Sequence, residues 1–187
     1  MAADDYMTYE EFGRRFFEVA VTEDRVGGAI GAIAGDAFVI GPIGQGPGKI
    51  AKVTAKVRVM DPRVSRKVGE MITFDIRIPL EIDMVIDLRI DRPKFMVFGE
   101  IALRATARAA HPLLLILDVE KPRSSDISIH VTSKSLRAEL LRIVAGVDAE
   151  IKRFISGHVS DEIDSPASQK AKIIDVSDSI DAGWTGV

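Results

Sequence analysis

The chain has 187 residues, enough for one domain with a substantial hydrophobic core. Hydrophobic residues make up 47% of it and charged residues 28%, which is typical of a globular protein. The formal net charge of -3 provides no general attraction for nucleic acid or for an anionic membrane. The absence of cysteine excludes disulfides, thiol catalysis and zinc–thiolate sites.

The first eleven residues are acidic and contain no apolar run, so we expect no secretory signal. No segment approaches the roughly 18–20 uninterrupted apolar residues of a membrane-spanning helix. We therefore expect a soluble, cytoplasmic protein that is not inserted in a membrane.

Two helices are predicted at the start of the chain. Thr8 and Glu11 have the spacing of a capping box, so the first helix should begin there. Its apolar side chains fall on one side of the helix: Phe12, Phe16 and Val19. Thr22 is the expected N-cap of a second helix. Glycines between Gly27 and Gly35 predict close packing of that helix against a neighbouring helix or sheet.

The segment Gly41–Lys49 is rich in glycine and superficially similar to a phosphate-binding loop. Ile43 stands where the first glycine of that motif belongs, and Ile50 replaces its hydroxyl residue. The segment also leads into a predicted strand, so no helix N-terminus follows to hold a phosphate. We interpret it as a turn or hinge and not as a nucleotide site.

From Ala51 onward, apolar and polar residues alternate. This period of two predicts strands with one buried face and one solvated face. Pro79 is expected to separate two of them, and Gly99 suggests a bulge. The predicted strands lie at residues 51–59, 72–78, 82–90, 95–103, 113–117 and 127–131. Short connections between them favour an antiparallel meander.

A single long amphipathic helix is predicted at residues 134–163. Ser133 or Ser135 can cap its start, and Ser165-Pro166 closes it. At about 1.5 Å per residue the helix would be on the order of 40 Å long, enough to cover a sheet. The sequence thus predicts an α+β fold: a meander of about five or six long strands, N-terminal helices, and one long C-terminal helix packed on the apolar sheet face.

Residues 1–165 are expected to form one domain and residues 166–187 a C-terminal tail. Within the tail, Ile173, Ile174 and Val176 are typical of one further strand. Trp184 is expected to dock locally on the body of the protein.

Few residues suggest catalysis or metal binding. None of the three histidines, His111, His130 and His158, has the spacing of a helical metal site, and each is expected to be structural or solvent-exposed. Asp83, Asp87 and Asp91 share a strand face, but alternate residues lie about 7 Å apart, too far for one cation. Cross-strand pairing explains them better, with these basic residues: Lys52, Lys56, Arg58 and Arg77.

No nucleophile elbow is present, and no carboxylate pair is singled out for acid–base chemistry. Basic residues alternate with acidic ones and lack aromatic stacking partners, so nucleic-acid binding is not predicted. We expect no catalytic residues, no metal and no cofactor.

The remaining signal is an excess of apolar surface. Methionines at positions 60, 71, 84 and 96 suit irregular apolar pockets. Small residues leave room beside bulkier ones, namely Ala51, Ala55, Ala102, Ala105, Ala107 and Ala109. A curved sheet that packs around a helix can then leave a cleft for an acyl chain.

This order of elements resembles one module of the tubular lipid-binding (TULIP-like) superfamily. The resemblance covers Thr8–Gly35, Lys49–Thr132 and Ser135–Ile163, and it is one of order and pattern without a diagnostic motif. It implies a hydrophobic lipid-binding groove between the long helix and the concave sheet face, and sometimes a dimer of modules. One departure from the family is that the sequence has no signal or lipoprotein segment, so we do not expect a role in the cell envelope.

The first hypothesis is therefore non-enzymatic binding or carriage of a lipid or another hydrophobic ligand, with a homodimer as one expected assembly. The predicted lining is Ile76, Met84, Ile86, Phe98, Leu115, Leu140, Val144, Val147, Ile151 and Phe154. One alternative is a homo-oligomeric structural or interaction module with a solid core. Another is a small cyclase- or isomerase-like enzyme, which requires an inward-facing carboxylate.

Overall fold

The computed structural model describes residues 6–34, 37–131 and 138–184. Within these residues, five helices pack on one curled antiparallel sheet of eight strands, which confirms the predicted fold class. The helices are α1 (Tyr9–Ala20), α2 (Glu23–Ala34), α3 (Ala138–Asp164), α4 (Pro166–Ala171) and α5 (Val176–Trp184). The strands are β1 (Phe38–Gln45), β2 (Ala51–Val59), β3 (Arg63–Val68), β4 (Ile72–Asp87), β5 (Lys94–Ala110), β6 (Leu114–Val119), β7 (Ile127–Val131) and β8 (Ile173–Asp175).

Two long strands, β4 and β5, form the centre of the sheet. Their register is unbroken from Thr73 opposite Thr106 to Val85 opposite Lys94. Along its outer edge β4 pairs first with β3 and then with β2, while β5 pairs first with β7 and then with β6. The sheet thus has a first half containing β1, β2 and β7 and a second half containing β3, β6 and β8, and both share the long pair.

The predicted break at Pro79 is wrong, because β4 continues through this residue. The carbonyl of Pro79 accepts a hydrogen bond from the N–H of Met60, 2.9 Å away, immediately after β2 ends. The reciprocal bond would need a donor at residue 79, which proline lacks. Since β2 ends and β3 begins at this point of the edge, only one ladder bond is lost, and the strand tolerates the proline.

The predicted bulge at Gly99 is also wrong. The register of β5 with β4 and with β7 passes through Gly99 without a shift. A Cβ atom at this position would lie 2.8 Å from the carbonyl oxygen of Ser128. Glycine is therefore explained by the close approach of β7 and not by an extra residue in the strand.

The segment Gly41–Lys49 is only partly a turn. Its first five residues belong to β1, where a register shift against β2 lies between Ile40 and Ile43. Gly41 sits in this bulge with φ of 103°, a conformation that favours glycine. A short 3-10 turn at Pro47–Lys49 then leads into β2, as the change of period at Ala51 predicts.

Strand β3 has no counterpart among the predicted strands. Its sequence is mostly polar, and only Val64 and Val68 have apolar side chains, so alternation gives little signal. Its outer edge is covered by α2: the carboxylate of Glu23 accepts a hydrogen bond of 2.7 Å from the backbone N–H of Arg66. Such protection keeps a polar edge strand from pairing with another chain.

Helix α3 packs on the first half of the sheet, which confirms the predicted cover. Gln45 of β1 donates a hydrogen bond to the carbonyl of Gly146, and the rings of Phe38 and His158 lie 4.0 Å apart. The helix ends at Asp164, before the predicted stop, and Ser165 caps the following helix α4. The predicted caps Ser133 and Ser135 lie outside the described residues.

The end of the chain joins the same sheet. Strand β8 pairs with β6, which confirms the strand predicted near Ile173, although Val176 begins α5. The side-chain amino group of Lys172 is buried and donates to the carbonyl of Ile163 at the end of α3. The side chain of Trp184 lies outside the described part. Among the described helices, none is both long and apolar enough to cross a membrane.

Candidate ligand-binding groove

The structure places most of the predicted groove residues in the hydrophobic core. Leu140 is half-buried at its edge. The fully packed members, none more than 5% exposed, are Ile76, Met84, Ile86, Leu115, Val144, Val147 and Ile151. They belong to one continuous cluster that joins α3 to the sheet. The sheet and α3 therefore contact each other through the chain's own side chains.

Two of the predicted lining residues lie elsewhere. Phe98 is 41% exposed and pairs with Glu81 of β4 and His130 of β7 on the polar face of the sheet. Phe154 is 47% exposed on α3. The alternation in β5 assigns Val97 to the inner face, so its neighbour Phe98 must face outward.

An apolar groove is found instead at the second half of the sheet. It lies between α1, the β5–β6 hairpin and α5, and its volume is about 540 Å³. The lining residues are Phe12, Gly13, Phe16, Phe17, Ala109, Ala110, His111, Pro112, Leu113, Leu114, Leu115, Val176 and Ile180. Both this volume and the predominance of apolar side chains are typical of small-molecule sites.

Small residues on β5 create much of this space. Ala105, Ala107 and Ala109 alternate on the inner face of the strand, and the last two lie beside α1. Ala109 lines the groove, and Ala107 lines a second cavity of about 280 Å³ on the other flank of α1. The sequence predicts that these alanines leave spare volume. The structure locates that volume under α1, whereas the prediction located it under the long helix.

Helix α1 forms a wall of the groove without joining the core. None of its residues is buried, although its apolar side chains lie on one side. Phe16 and Phe17 are half-buried with their rings 6.0 Å apart, whereas Phe12 is 58% and Tyr9 97% exposed. The stripe of Phe12 and Phe16 was the available signal for this site, but the sequence does not reveal which sheet surface it covers.

Two arginines from outside α1 hold its C-terminal end. Arg66 of β3 donates to the carbonyls of Glu18 and Val21 over 2.8 and 3.0 Å. Arg25 of α2 donates to the carbonyl of Ala20 over 2.8 Å. These bonds satisfy carbonyls at the negative end of the helix dipole, where α1 has no basic residue of its own.

His111 is the one ionisable side chain among the described residues that line the groove. It lies in the turn between β5 and β6, where it is exposed to solvent. Leu113 in the same turn is 53% exposed, whereas Leu115 on the floor is only 4% exposed. The groove therefore has a polar, solvated rim at the hairpin turn and an apolar floor.

The outer face of the sheet carries ion pairs. Asp83 lies 3.3 Å from Arg58, which confirms the predicted cross-strand pairing for this aspartate, whereas Asp87 forms its ion pair with Arg92, 2.9 Å away, and Asp91 lies beyond the end of β4. A hydrogen bond from the backbone N–H of Arg89 lowers the pKa of the Asp87 carboxyl, and the Arg92 guanidinium lowers this pKa further. Within the described ranges, no three side chains are grouped as metal ligands, and no aspartate or glutamate is buried.

Comparison of the sequence with protein-family models and with curated proteins finds no match. The role of the chain must therefore be inferred from its own residues. Of the features described, the groove beside α1 has the size and lining that a bound small molecule requires.

Proposed function

We propose that the protein binds a small hydrophobic ligand, such as the acyl chain of a lipid, in the groove between α1, the β5–β6 hairpin and α5. The supporting observation is the space of about 540 Å³ that apolar side chains line and that opens to solvent. Burial of a ligand there removes apolar surface from water and contributes about 0.8 kcal/mol for each methylene group. The role is sequestration or carriage, without a chemical step.

The geometry favours this groove over the interface between α3 and the sheet. At that interface Ile76, Val147 and Ile151 are at most 1% exposed, so a ligand would have to displace side chains that already pack together. Opening a packed core costs several kcal/mol per large side chain. The groove beside α1 needs no such displacement, because Phe12 and Ala109 already face solvent.

Replacement of Ala109 by phenylalanine is expected to weaken ligand binding at least about tenfold, because the ring takes up space that a chain of several methylenes would fill. Ala109 is exposed, so its replacement leaves the core intact. Gly13→Leu fills the groove from the opposite wall, where an added Cβ meets no atom within 4 Å. Titration of each variant with a fluorescent fatty acid measures the affinity.

Ala102→Phe is the matched control. Ala102 lies in the same strand but on the outer face, away from the groove, and this variant should bind like the wild type. Circular dichroism checks that all three variants are folded. Wild-type protein that binds no fatty acid, or groove variants that bind it unchanged, would contradict the proposed function.

The second candidate is self-association through the rim of the same groove. Phe12 and Leu113 are 58% and 53% exposed, and Ile180 is 46% exposed. Clustered apolar side chains of this kind mark interaction surfaces. We expect dimers whose fraction rises with concentration in light scattering after size exclusion, and Phe12→Glu should shift them to monomers. A wild-type monomer at every concentration would exclude this candidate.

A further inference from the structure

The groove is polar at its rim, by the hairpin turn, and apolar at its floor. Its deepest side chains are apolar, as the 4% exposure of Leu115 illustrates, and the half-buried rings of Phe16 and Phe17 lie beside them. The hairpin turn with His111 is solvated. A ligand that matches this order has a hydrocarbon portion for the floor and one polar group for the rim.

The rim restricts the polar group further. An ionised group is costly to bury without a partner, so it must remain near solvent, where His111 lies. The imidazole can donate an N–H hydrogen bond to a carboxylate in either protonation state. Within the described structure the His111 side chain has no hydrogen bond or ion pair, so this donor is available.

The other charged groups on the surrounding elements are less suited to bind the head group. On α1, Arg14 lies 3.5 Å from Glu10, and on β5, Arg108 donates to Asp118 over 2.8 Å. Both guanidinium groups thus already have a carboxylate partner. A doubly charged phosphate would need more than one cationic or hydrogen-bonding partner, and His111 is the one ionisable side chain among the described lining residues.

We infer that the ligand of this groove is a single-chain amphiphile with one carboxylate, which accepts a hydrogen bond from His111 at the rim while its hydrocarbon chain lies on the apolar floor. This inference rests on the proposed function and specifies the class of ligand. His111 acts as a specificity-determining residue for the head group. The chain supplies most of the affinity, because the lining is predominantly apolar.

Competition against a neutral fluorescent dye such as Nile red tests the assignment. Dodecanoic acid, dodecanol and dodecyl phosphate share a hydrocarbon chain and differ in the head group. For the wild type we expect the acid to bind roughly three- to tenfold more tightly than the alcohol, as for one partly solvated hydrogen bond to a charged group. The phosphate should bind more weakly than the acid.

His111→Ala is expected to remove this preference, because it lowers the affinity for the acid about three- to tenfold more than the affinity for dodecanol. His130→Ala is the matched control, because His130 is an exposed histidine on the outer face of the sheet. This control should keep the preference for the acid. Ala109→Phe should weaken acid and alcohol alike, since it occupies the space for the chain.

The outcomes distinguish binding of a hydrophobic ligand in the groove from recognition of a carboxylate by His111. If acid and alcohol bind the wild type equally and Ala109→Phe weakens both, binding in the groove stands and the carboxylate inference is overturned. A preference for the acid that survives in His111→Ala, or tighter binding of the phosphate, also overturns it. If no amphiphile displaces the dye from the wild type, the proposed function itself fails.

Discussion

Replacement of Phe74 by alanine is expected to lower the free energy of unfolding by about 3–5 kcal/mol. The ring is fully buried in β4, opposite Ala105 of β5. The ring fills the inner-face volume beside the small side chain of Ala105. Strand pairing on both sides of β4 limits how far the backbone can move to close the cavity that Phe74→Ala creates. Urea denaturation followed by circular dichroism measures the change.

Phe98→Ala is the matched control, because it removes the same ring from the polar face of the neighbouring strand. Phe98 is 41% exposed, so the loss should be no more than about 1 kcal/mol. Equal losses for the two variants would contradict the assignment of inner and outer faces.

The second large effect is expected at Gly41, where alanine should lower the free energy of unfolding by about 2–4 kcal/mol. Its φ of 103° is unfavourable for any side chain. In addition, an added Cβ would lie 2.5 Å from the carbonyl oxygen of Val53 in the paired strand β2. Either β1 must move away from β2 or the bulge must change shape. Urea denaturation measures the cost.

Gly46→Ala separates the cost of a positive φ from the cost of the steric clash with Val53. Gly46 also has a positive φ, of 79°, but an added Cβ there meets no atom within 4 Å. With ψ of 178°, Gly46 lies in a region that is almost exclusive to glycine, so this variant should lose only the conformational contribution of about 1–3 kcal/mol. If Gly41→Ala is no more destabilising than Gly46→Ala, the close approach of β1 and β2 at Val53 is not a constraint on the fold.

Features that depend on neighbouring residues were predictable from the sequence. The capping box of Thr8 and Glu11 forms as expected, with the Glu11 backbone N–H donating to the Thr8 hydroxyl over 3.1 Å. The alternation that starts at Ala51 yields β2, and the apolar stripe around Val147 yields α3. In each case the local pattern and the tertiary packing favour the same structure.

Features that depend on distant pairing were not predictable in the same way. Pro79 breaks a strand only if its missing N–H faces a partner strand, and here it faces the junction between β2 and β3. Gly99 looks like a bulge until Ser128 of β7 is placed beside it. Both outcomes depend on which strand occupies which edge, information that a local pattern does not contain.

For the groove, too, the sequence predicts that space is present but not where it lies. The alanines of β5 indicate spare volume, but the sequence does not say which helix lies over them. Both α1 and α3 are amphipathic, so from the sequence either helix can cover the inner face of the sheet, and α3 has the longer apolar stripe. The structure puts α3 on the first half, so Ala107 and Ala109 face α1. His111 can be recognised as a residue of the groove only when the fold shows that the hairpin turn lies beside this space.

The shared pair of long strands has a consequence for how the protein can change over time. Strands β4 and β5 carry one hydrophobic core through both halves of the sheet, and the groove lies at one end of this core, beside α1 and the β5–β6 hairpin. Residues that are far apart and share no partner contribute to stability nearly independently. Substitutions around Ala109 could therefore alter what the groove accepts, while the packing around Val147 continues to maintain the fold.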